Sequence, residues 1–346
     1  MEAPEPKPNE STGDQSKPEG LLYHYTSLDG FLGIIDSDSL RATHIRYMSD
    51  SKEFLDGLNY LDSILKDFPG ALRSTMGPFF DSIVRHVSGK SGAYVISFTD
   101  DEAAIPAPHK TPGDRLSQWR AYSGGLRGIS MGLDFDSLHG DEPGKCWSIG
   151  GCLVYLLNCL YNAADKRRVF KGVGEMAAPK FESIIADTVS RLQVKTSHGF
   201  SNLAEHDVKP TDEDSRISYA RWFLMTGMVI NATTFKDPAF FEEKEWRIVI
   251  LAPSKRSLAD VPNENASLLV KFRSGALGVT PYVECPLKLG TPGSALRRIV
   301  VGPTPHAEEA VEAVKMLLED KGIRLRDRDF PNGVEVVPSK IPYRNW

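Results

Sequence analysis

The chain has 346 residues, with 41 Lys plus Arg against 46 Asp plus Glu for a formal net charge of −5, and apolar and charged fractions of 41% and 25%. These values describe a globular chain long enough to bury a large core without disulfide or metal staples, as two domains of about 150 residues or as one large one. The charge argues against bulk electrostatic binding to nucleic acid or an anionic membrane, although a local basic cleft stays compatible with it.

No apolar run approaches the roughly 20 residues of a bilayer span; the nearest, Cys152 to Tyr161, is short and broken by Asn158. The acidic, Pro-rich opening MEAPEPKPNE is unlike a signal peptide. Cys146, Cys152, Cys159 and Cys285 form no C-x-x-C pair, so zinc-ribbon and thioredoxin readings fail. They read as reduced thiols, and together these features point to the cytoplasm.

Met1 to Gly20 holds four prolines, five acids and almost nothing to bury, the composition of a disordered tail. Folded sequence begins at Leu21. Leu21 to Thr26 reads as a strand, Ser27 as a helix N-cap, and Leu28, Phe31, Leu32 and Ile35 as the buried face of a short helix. Leu40 to Ile45 is the next strand. Asp50 and Glu53 have capping-box spacing ahead of an amphipathic stripe through Phe54, Leu58, Leu61 and Leu65. Ala93 to Thr99 reads as a strand, Asp100 to Asp114 as a surface loop, Leu116 to Tyr122 as a short helix, and Gly128 to Phe135 and Cys152 to Leu157 as strands.

Residues 158–231 read as mostly helical, with a stripe through Ile217, Ala220, Leu224 and Met228. Strands return at Trp246 to Leu251, near Ser267 to Phe272, at Arg297 to Val301 and at Val334 to Val337, with a helix through Ala307, Val311, Val314 and Leu318 that stops near Gly322. Strands with unevenly placed helices give an α+β class.

Three places are chemically unusual. His24 lies between Tyr23 and Tyr25 on a strand that should be buried; it is either a satisfied core residue or, at a strand end, a donor to a ligand hydroxyl. Ser117, Trp119, Arg120 and Tyr122 follow a Pro-rich loop, and helical spacing puts Trp119 and Tyr122 on one side, as a plain aromatic anchor or as flat rings for a planar ligand. In FFEEKEWRIVIL, alternation turns Glu243, Glu245 and Arg247 one way and Trp246 and Ile248 the other. A buried acid at a strand entrance is costly unless paired or used, so Glu245 either pairs with Arg247 or a basic neighbour, or serves a site.

Other chemistries find no support. The sequence lacks G-x-G-x-x-G, G-x-x-x-x-G-K-[ST], H-E-x-x-H and G-x-S-x-G, and its other histidines are scattered. The basic run Asp165 to Lys171 reads as a solvated helix face. No carboxylate cluster for paired metals appears, against a nuclease.

The blocks LLYHYTSLDGFLGIIDSDSLRATHIRYMSDSKEF, YVISFTDD, SQWRAYSGG, GISMGLDF, FEEKEWRIV, RRIVVGPTPHAEEA and SKIPYR occur in this order. The set resembles a bacterial family catalogued as domain of unknown function two-nine-seven-one, over most of Leu21 to Arg344. That family in turn is similar to the ADP-ribosyltransferase-like superfamily.

The resemblance implies an ADP-ribosyltransferase-like split β-sheet core with flanking helices, a single domain over 21–346 with a helical insertion at about 158–231. It implies catalytic residues Glu245, His24 and Tyr122, and contacts to NAD, used as substrate, from His24, Tyr25, Thr26, Ser97, Trp119, Tyr122 and Glu243. In this role Glu245 stabilises the ribosyl cation and holds the 2′-hydroxyl, His24 orients the ribose, and Tyr122 or Trp119 stacks on nicotinamide. An unknown macromolecular acceptor, protein or nucleic acid, takes the ADP-ribose. Many members of the superfamily are toxins or act against phage. The alternative is a non-catalytic nucleotide-binding or protein-interaction module on the same fold. The long loop before Tyr122, and Ser39-Leu40 where many members have Gly-Leu, depart from better-known members.

Overall fold

The structure is a computed structural model that describes residues 18, 20–48, 54–60, 92–100, 111–125, 127–136, 146–149, 152–169, 227, 230–251, 270–275 and 277–342. All of its strands belong to one 11-stranded sheet, and every strand pair is antiparallel except that of Leu296–Val301 with Glu335–Pro338. The α+β class read from the sequence is observed.

The sheet divides at β3 (Ala93–Asp100). Along one edge β3 pairs with β7 (Glu245–Leu251) from Ala93↔Leu251 to Thr99↔Glu245. Along the other edge it pairs at its end with β1 (Leu22–Ser27), through Tyr23↔Thr99 and Leu22↔Asp100, and at its start with β2 (Ser39–His44), through Thr43↔Val95 and His44↔Tyr94. Among the described residues no strand pairs with Ile96, Ser97 or Phe98 on that edge. Two arms therefore diverge from it. One runs through β1 to β4 (Gly128–Leu133), β10 (Leu296–Val301) and β11 (Glu335–Pro338). The other runs through β2 to β9 (Gly278–Pro286) and β8 (Lys271–Gly275). On the far side of β7 lies the hairpin of β6 (Cys152–Asn158) and β5 (Cys146–Ile149).

Helix α1 (Leu28–Ser37) joins β1 to β2 across the division. Its cap is the one expected, with the Gly30 N–H donating to Ser27 Oγ at 3.1 Å. Its buried stripe is Phe31, Ile34 and Ile35, whereas Leu28 and Leu32 are 48% and 45% exposed. The i, i+3, i+4 face is thus turned from the expected one, because the helix seats against β1, β2 and β4 at once. The main core lies on this side of the sheet, where Leu40, Ala42, Ile96, Phe98, Trp246 and Ile248 meet α1, with Val314 and Leu318 of a later helix (Ala307–Asp320) packed over β10 and β11. The opposite side is partly covered where residues 54–60 pack on 230–235: Tyr60 and Phe235 stand 5.8 Å apart, edge to face.

Several expectations shift. Asn158 ends a strand rather than opening a helical insertion; residues 163–169 are helical, and most of 170–229 lies outside the described residues. The helix stripe from Ile217, the Asp50–Glu53 box, Leu61, Leu65 and all but Pro18 and Gly20 of the opening 20 residues also lie outside them. The strand near Ser267 is β8, set four residues later, and β5 and β9 went unread. Cys152, Cys159 and Cys285 are buried, and burial pushes the Cys285 thiol up to about 12. Among the described residues no helix is long and apolar enough to cross a membrane.

Candidate functional site

The division of the sheet leaves a backbone acceptor open on β3, and His24 takes it. Its Nδ1 donates to the Ser97 carbonyl at 3.0 Å, and its ring lies 5.7 Å from Phe98. A side chain thus replaces the missing strand. Since a carbonyl only accepts, Nδ1 carries the proton and Nε2 is the acceptor nitrogen of a neutral ring. Burial lowers the pKa of His24, with the bond to Ser97 opposing.

Beside His24 opens a shallow cleft of about 80 Å³. Its walls come from β1 (Tyr23, His24, Tyr25), β3 (Ser97, Phe98, Thr99), the helix at Leu116–Tyr122 (Gln118, Tyr122) and the entrance to β7 (Glu243, Glu245). Register explains the convergence. Ser97 opposes Arg247 and Thr99 opposes Glu245, so all four stand on one side of the sheet while Phe98 and Trp246 enter the core. Ser97 Oγ is buried with no hydrogen-bond partner, whereas Thr99 Oγ1 donates to Gln118 Oε1 at 3.2 Å.

At the base of the cleft the acids are held in a charge network. Arg247 grips Glu245 through Nε–Oε1 at 2.7 Å and Nη2–Oε2 at 3.1 Å, and donates from Nη1 to the Thr233 carbonyl at 2.6 Å. Lys236 Nζ bridges Glu245 Oε2 at 2.5 Å and Glu243 Oε2 at 2.9 Å. Glu245, Arg247 and Lys236 are 4%, 1% and 2% exposed. Burial alone would raise the Glu245 carboxyl, but Arg247 and then Lys236 hold it down at about 2. For Lys236 burial works against the charge, and Glu245 overrides it and raises the pKa. The Glu245 N–H donates to the Tyr161 hydroxyl at 2.7 Å, and Lys166 Nζ donates to the Lys236 carbonyl at 2.7 Å. Lys244, left-handed at φ 43, separates the short 3-10 turn Pro238–Glu243 from β7. That kink lets Glu243 and Glu245 share one ammonium group.

This geometry joins the two readings of Glu245: it forms the ion pair with Arg247 and also lines the cleft. It brings together His24, Tyr25, Ser97, Tyr122, Glu243 and Glu245. Tyr122 is 42% exposed and donates from its hydroxyl to Glu243 Oε1 at 3.3 Å. Trp119 and Thr26 are not brought to the cleft. Gln118 and Tyr122, four apart, share the cleft face of their helix, which turns Trp119 into a small core with Tyr23, Tyr25 and Val300. There Trp119 is fully buried and meets Tyr25 edge to face at 4.9 Å. Thr26 lies under α1, its Oγ1 only 2.2 Å from where a Cβ on Gly30 would stand.

Asp114 fixes this wall. Its Oδ1 accepts from Trp119 Nε1 at 2.8 Å and from Ser339 Oγ at 2.5 Å, and its Oδ2 accepts from the Lys340 N–H at 2.7 Å. The end of the loop that was read as surface is therefore buried, and the SKIP segment latches onto it. Neighbouring Gly113 has φ +80, and a Cβ there would meet the Tyr23 ring at 2.4 Å.

Lys236, Gln118, Tyr161 and Asp114 were not anticipated. Lys236 sits in no periodic pattern; an unexplained buried acid such as Glu245 was the one signal that a cation had to be near. Among the described residues no group of three or more His, Cys, Asp or Glu gathers to hold a metal ion.

A family model described as "Protein of unknown function (DUF2971)" matches residues 118–248. The matched stretch bears out the first resemblance over a smaller part of the chain than Leu21 to Arg344. It includes Gln118, Tyr122, Lys236, Glu243, Glu245 and Arg247, and leaves out His24 and Ser97. No match was found among curated proteins or among solved structures.

Proposed function

We propose that the chain binds NAD at the division of the sheet, cleaves its nicotinamide–ribose bond and passes ADP-ribose to a macromolecular acceptor. One observation carries the reading: His24 and Glu245, far apart in sequence, line the same cleft from the two sides of β3. Such a reaction passes through an oxocarbenium-like state. The C1′–N bond breaks, its electron pair leaves with nicotinamide, and the acceptor attacks C1′ and gives up a proton. A carboxylate held near pKa 2 is ionised at every physiological pH and meets the developing cation without reorganising. A carboxylate offers about four acceptor positions, and Arg247 and Lys236 occupy three, one on Oε1 and two on Oε2. The position left on Oε1 takes the ribose hydroxyl. His24 Nε2 and Ser97 Oγ fix the sugar, and the exposed Tyr122 ring stacks on nicotinamide.

A cleft of about 80 Å³ admits one ring-sized group, against roughly 300–1,000 Å³ for sites that enclose a ligand, so most of the dinucleotide lies on open surface. That small volume, with a charge-balanced base of two acids and two cations, favours a second reading in which the cleft binds a nucleotide without turnover.

Incubation with NAD labelled in the adenosine half, with and without lysate, separates the two. The first reading expects nicotinamide release, label on protein or nucleic acid, and a loss of about 10²–10³ in kcat for Glu245→Gln. A rise in melting temperature with NAD but no nicotinamide selects the binding module. No rise and no nicotinamide refute both.

A further inference from the structure

The arm made of β2, β9 and β8 carries a second polar surface whose charges do not balance. Its register fixes which side chains share a face. Thr43 opposes Val95 and Tyr282, Arg41 opposes Glu284, and on β8 Lys271 opposes Tyr282 while Arg273 opposes Thr280. Opposed residues stand on the same side of a sheet, and residues two apart share it. Arg41, Thr43, Lys271, Arg273, Tyr282 and Glu284 therefore lie on one side. Val95 identifies it as the side of Ser97 and Thr99, which also bears the cleft. The reverse side, with Leu40, Ala42, Val283 and Cys285, is core.

Three cations face one carboxylate here, on a chain that is acidic as a whole. Glu284 is engaged by Lys271 Nζ at 2.6 Å. Arg41 is exposed, its guanidinium 5.5 Å from the centre of the Tyr282 ring, and among the described residues it pairs with no acid. Arg273 is half-buried and donates from Nη2 to Thr43 Oγ1 at 3.0 Å. Its Nε is buried and has no acceptor, and it too pairs with no acid among the described residues. Arg41 bears on Arg273: burial and then the charge of Arg41 lower the pKa of Arg273. Buried side-chain N–H groups normally find at least one acceptor, from protein or ordered water. Two neighbouring guanidiniums that pair with no acid among the described residues, one with a buried N–H left over, match an anion that presents several oxygens at fixed angles.

We propose that Arg41 and Arg273, flanked by Thr43 and Tyr282, form a binding site for a phosphate group on the arm of β2, β9 and β8. The site stands independently of the NAD reading, since none of its residues lines the cleft. The phosphate belongs either to a small free compound or to the backbone of a single-stranded nucleic acid, and both present the same oxygens to the fork of an arginine.

Two probes and two variants test it on the full chain at low salt: inorganic phosphate by calorimetry, and a labelled single-stranded RNA oligonucleotide by fluorescence anisotropy. Arg41→Gln alters an exposed side chain and keeps the fold; Arg41→Gln/Arg273→Gln removes both guanidiniums. Saturable binding of inorganic phosphate below about 1 mM, weakened at least tenfold by Arg41→Gln and abolished in the double variant, establishes the site for a free phosphate compound. Oligonucleotide binding that weakens likewise, with the salt slope reduced by about one for each lost contact, establishes it for a backbone phosphate. The proposal is overturned if neither probe binds the parent chain, or if Arg41→Gln binds both within twofold of it.

Discussion

Replacing Glu245 with Gln keeps the shape of the side chain and removes one charge from a network that excludes water. The loss can be worked in two ways. A carboxyl held at about 2 against its ordinary 4.5, at about 1.4 kcal/mol for each tenfold change in proton affinity, favours the folded state by about 3 kcal/mol at neutral pH. Breaking a buried pair while its cationic partners remain costs about 3–5 kcal/mol, and here two partners, Arg247 and Lys236, are left behind. Both routes place the loss near 3 kcal/mol.

The pH dependence carries the sharper test. The folded pKa lies below the unfolded one, so the contribution of Glu245 is complete above about pH 4.5 and disappears as pH falls toward 2. Urea unfolding of parent and Glu245→Gln, followed by tryptophan fluorescence, should show a gap of about 3 kcal/mol at pH 7 that narrows steadily below pH 4.5. A gap under about 1 kcal/mol at pH 7, or one that stays constant down to pH 3, would refute the network as drawn. On the NAD reading the same variant also loses turnover, which is to be compared only at a urea concentration and pH where both proteins are folded.

Three further outcomes follow from the same side chains. Folded His24 binds its proton less readily than in the unfolded chain, so stability should decline as pH drops below about 6.5, and His24→Gln should flatten that slope between pH 7.5 and 5.5; equal slopes would count against a buried neutral ring. Asp114→Ala leaves the Trp119 indole and the Lys340 N–H without acceptors, at about 3 kcal/mol for the two, with faster amide exchange in residues 116–122; a loss below 1 kcal/mol would show that the latch is slack. Tyr122 lies at the surface, 42% exposed, and its hydroxyl bond to Glu243 is an exposed one, so Tyr122→Phe should stay within about 0.5 kcal/mol of the parent and Tyr122→Ala within about 1 kcal/mol. On the NAD reading the Phe variant retains nicotinamide release and the Ala variant loses it; equal activity of the two would remove the stacking role.

Local signals carried much of the fold. The strand at Ala93, the cap at Ser27 and the helix at Leu116 were legible because each is written in contiguous residues: an apolar run, a hydroxyl before a periodic stripe, a short helical patch after prolines. β9 escaped because Gly278, Pro281 and Pro286 interrupt its pattern, and its place between β2 and β8 is set by pairing rather than by propensity. The turn of α1 onto Phe31, Ile34 and Ile35 depended on which surfaces the diverging arms offered. In the site, Glu245 and Arg247 were visible as a pair on one strand face, since alternation fixes that relation. Lys236 was not visible, because its approach to Glu245 relies on the turn through Lys244. Trp119 and Tyr122 looked interchangeable from spacing; the four-residue relation of Gln118 to Tyr122, and the claim of Asp114 on the indole, separate them.

The latch on Asp114 also orders events in time. Ser339 follows Asp114 by 225 residues, and ribosomes add roughly 5–20 residues per second. Asp114 is therefore made about 10–45 s before the Ser339 hydroxyl that fastens it. Of the donors to that carboxylate, Trp119 Nε1 is synthesised within about a second of it, whereas Ser339 and Lys340 follow only after both arms of the sheet have been made.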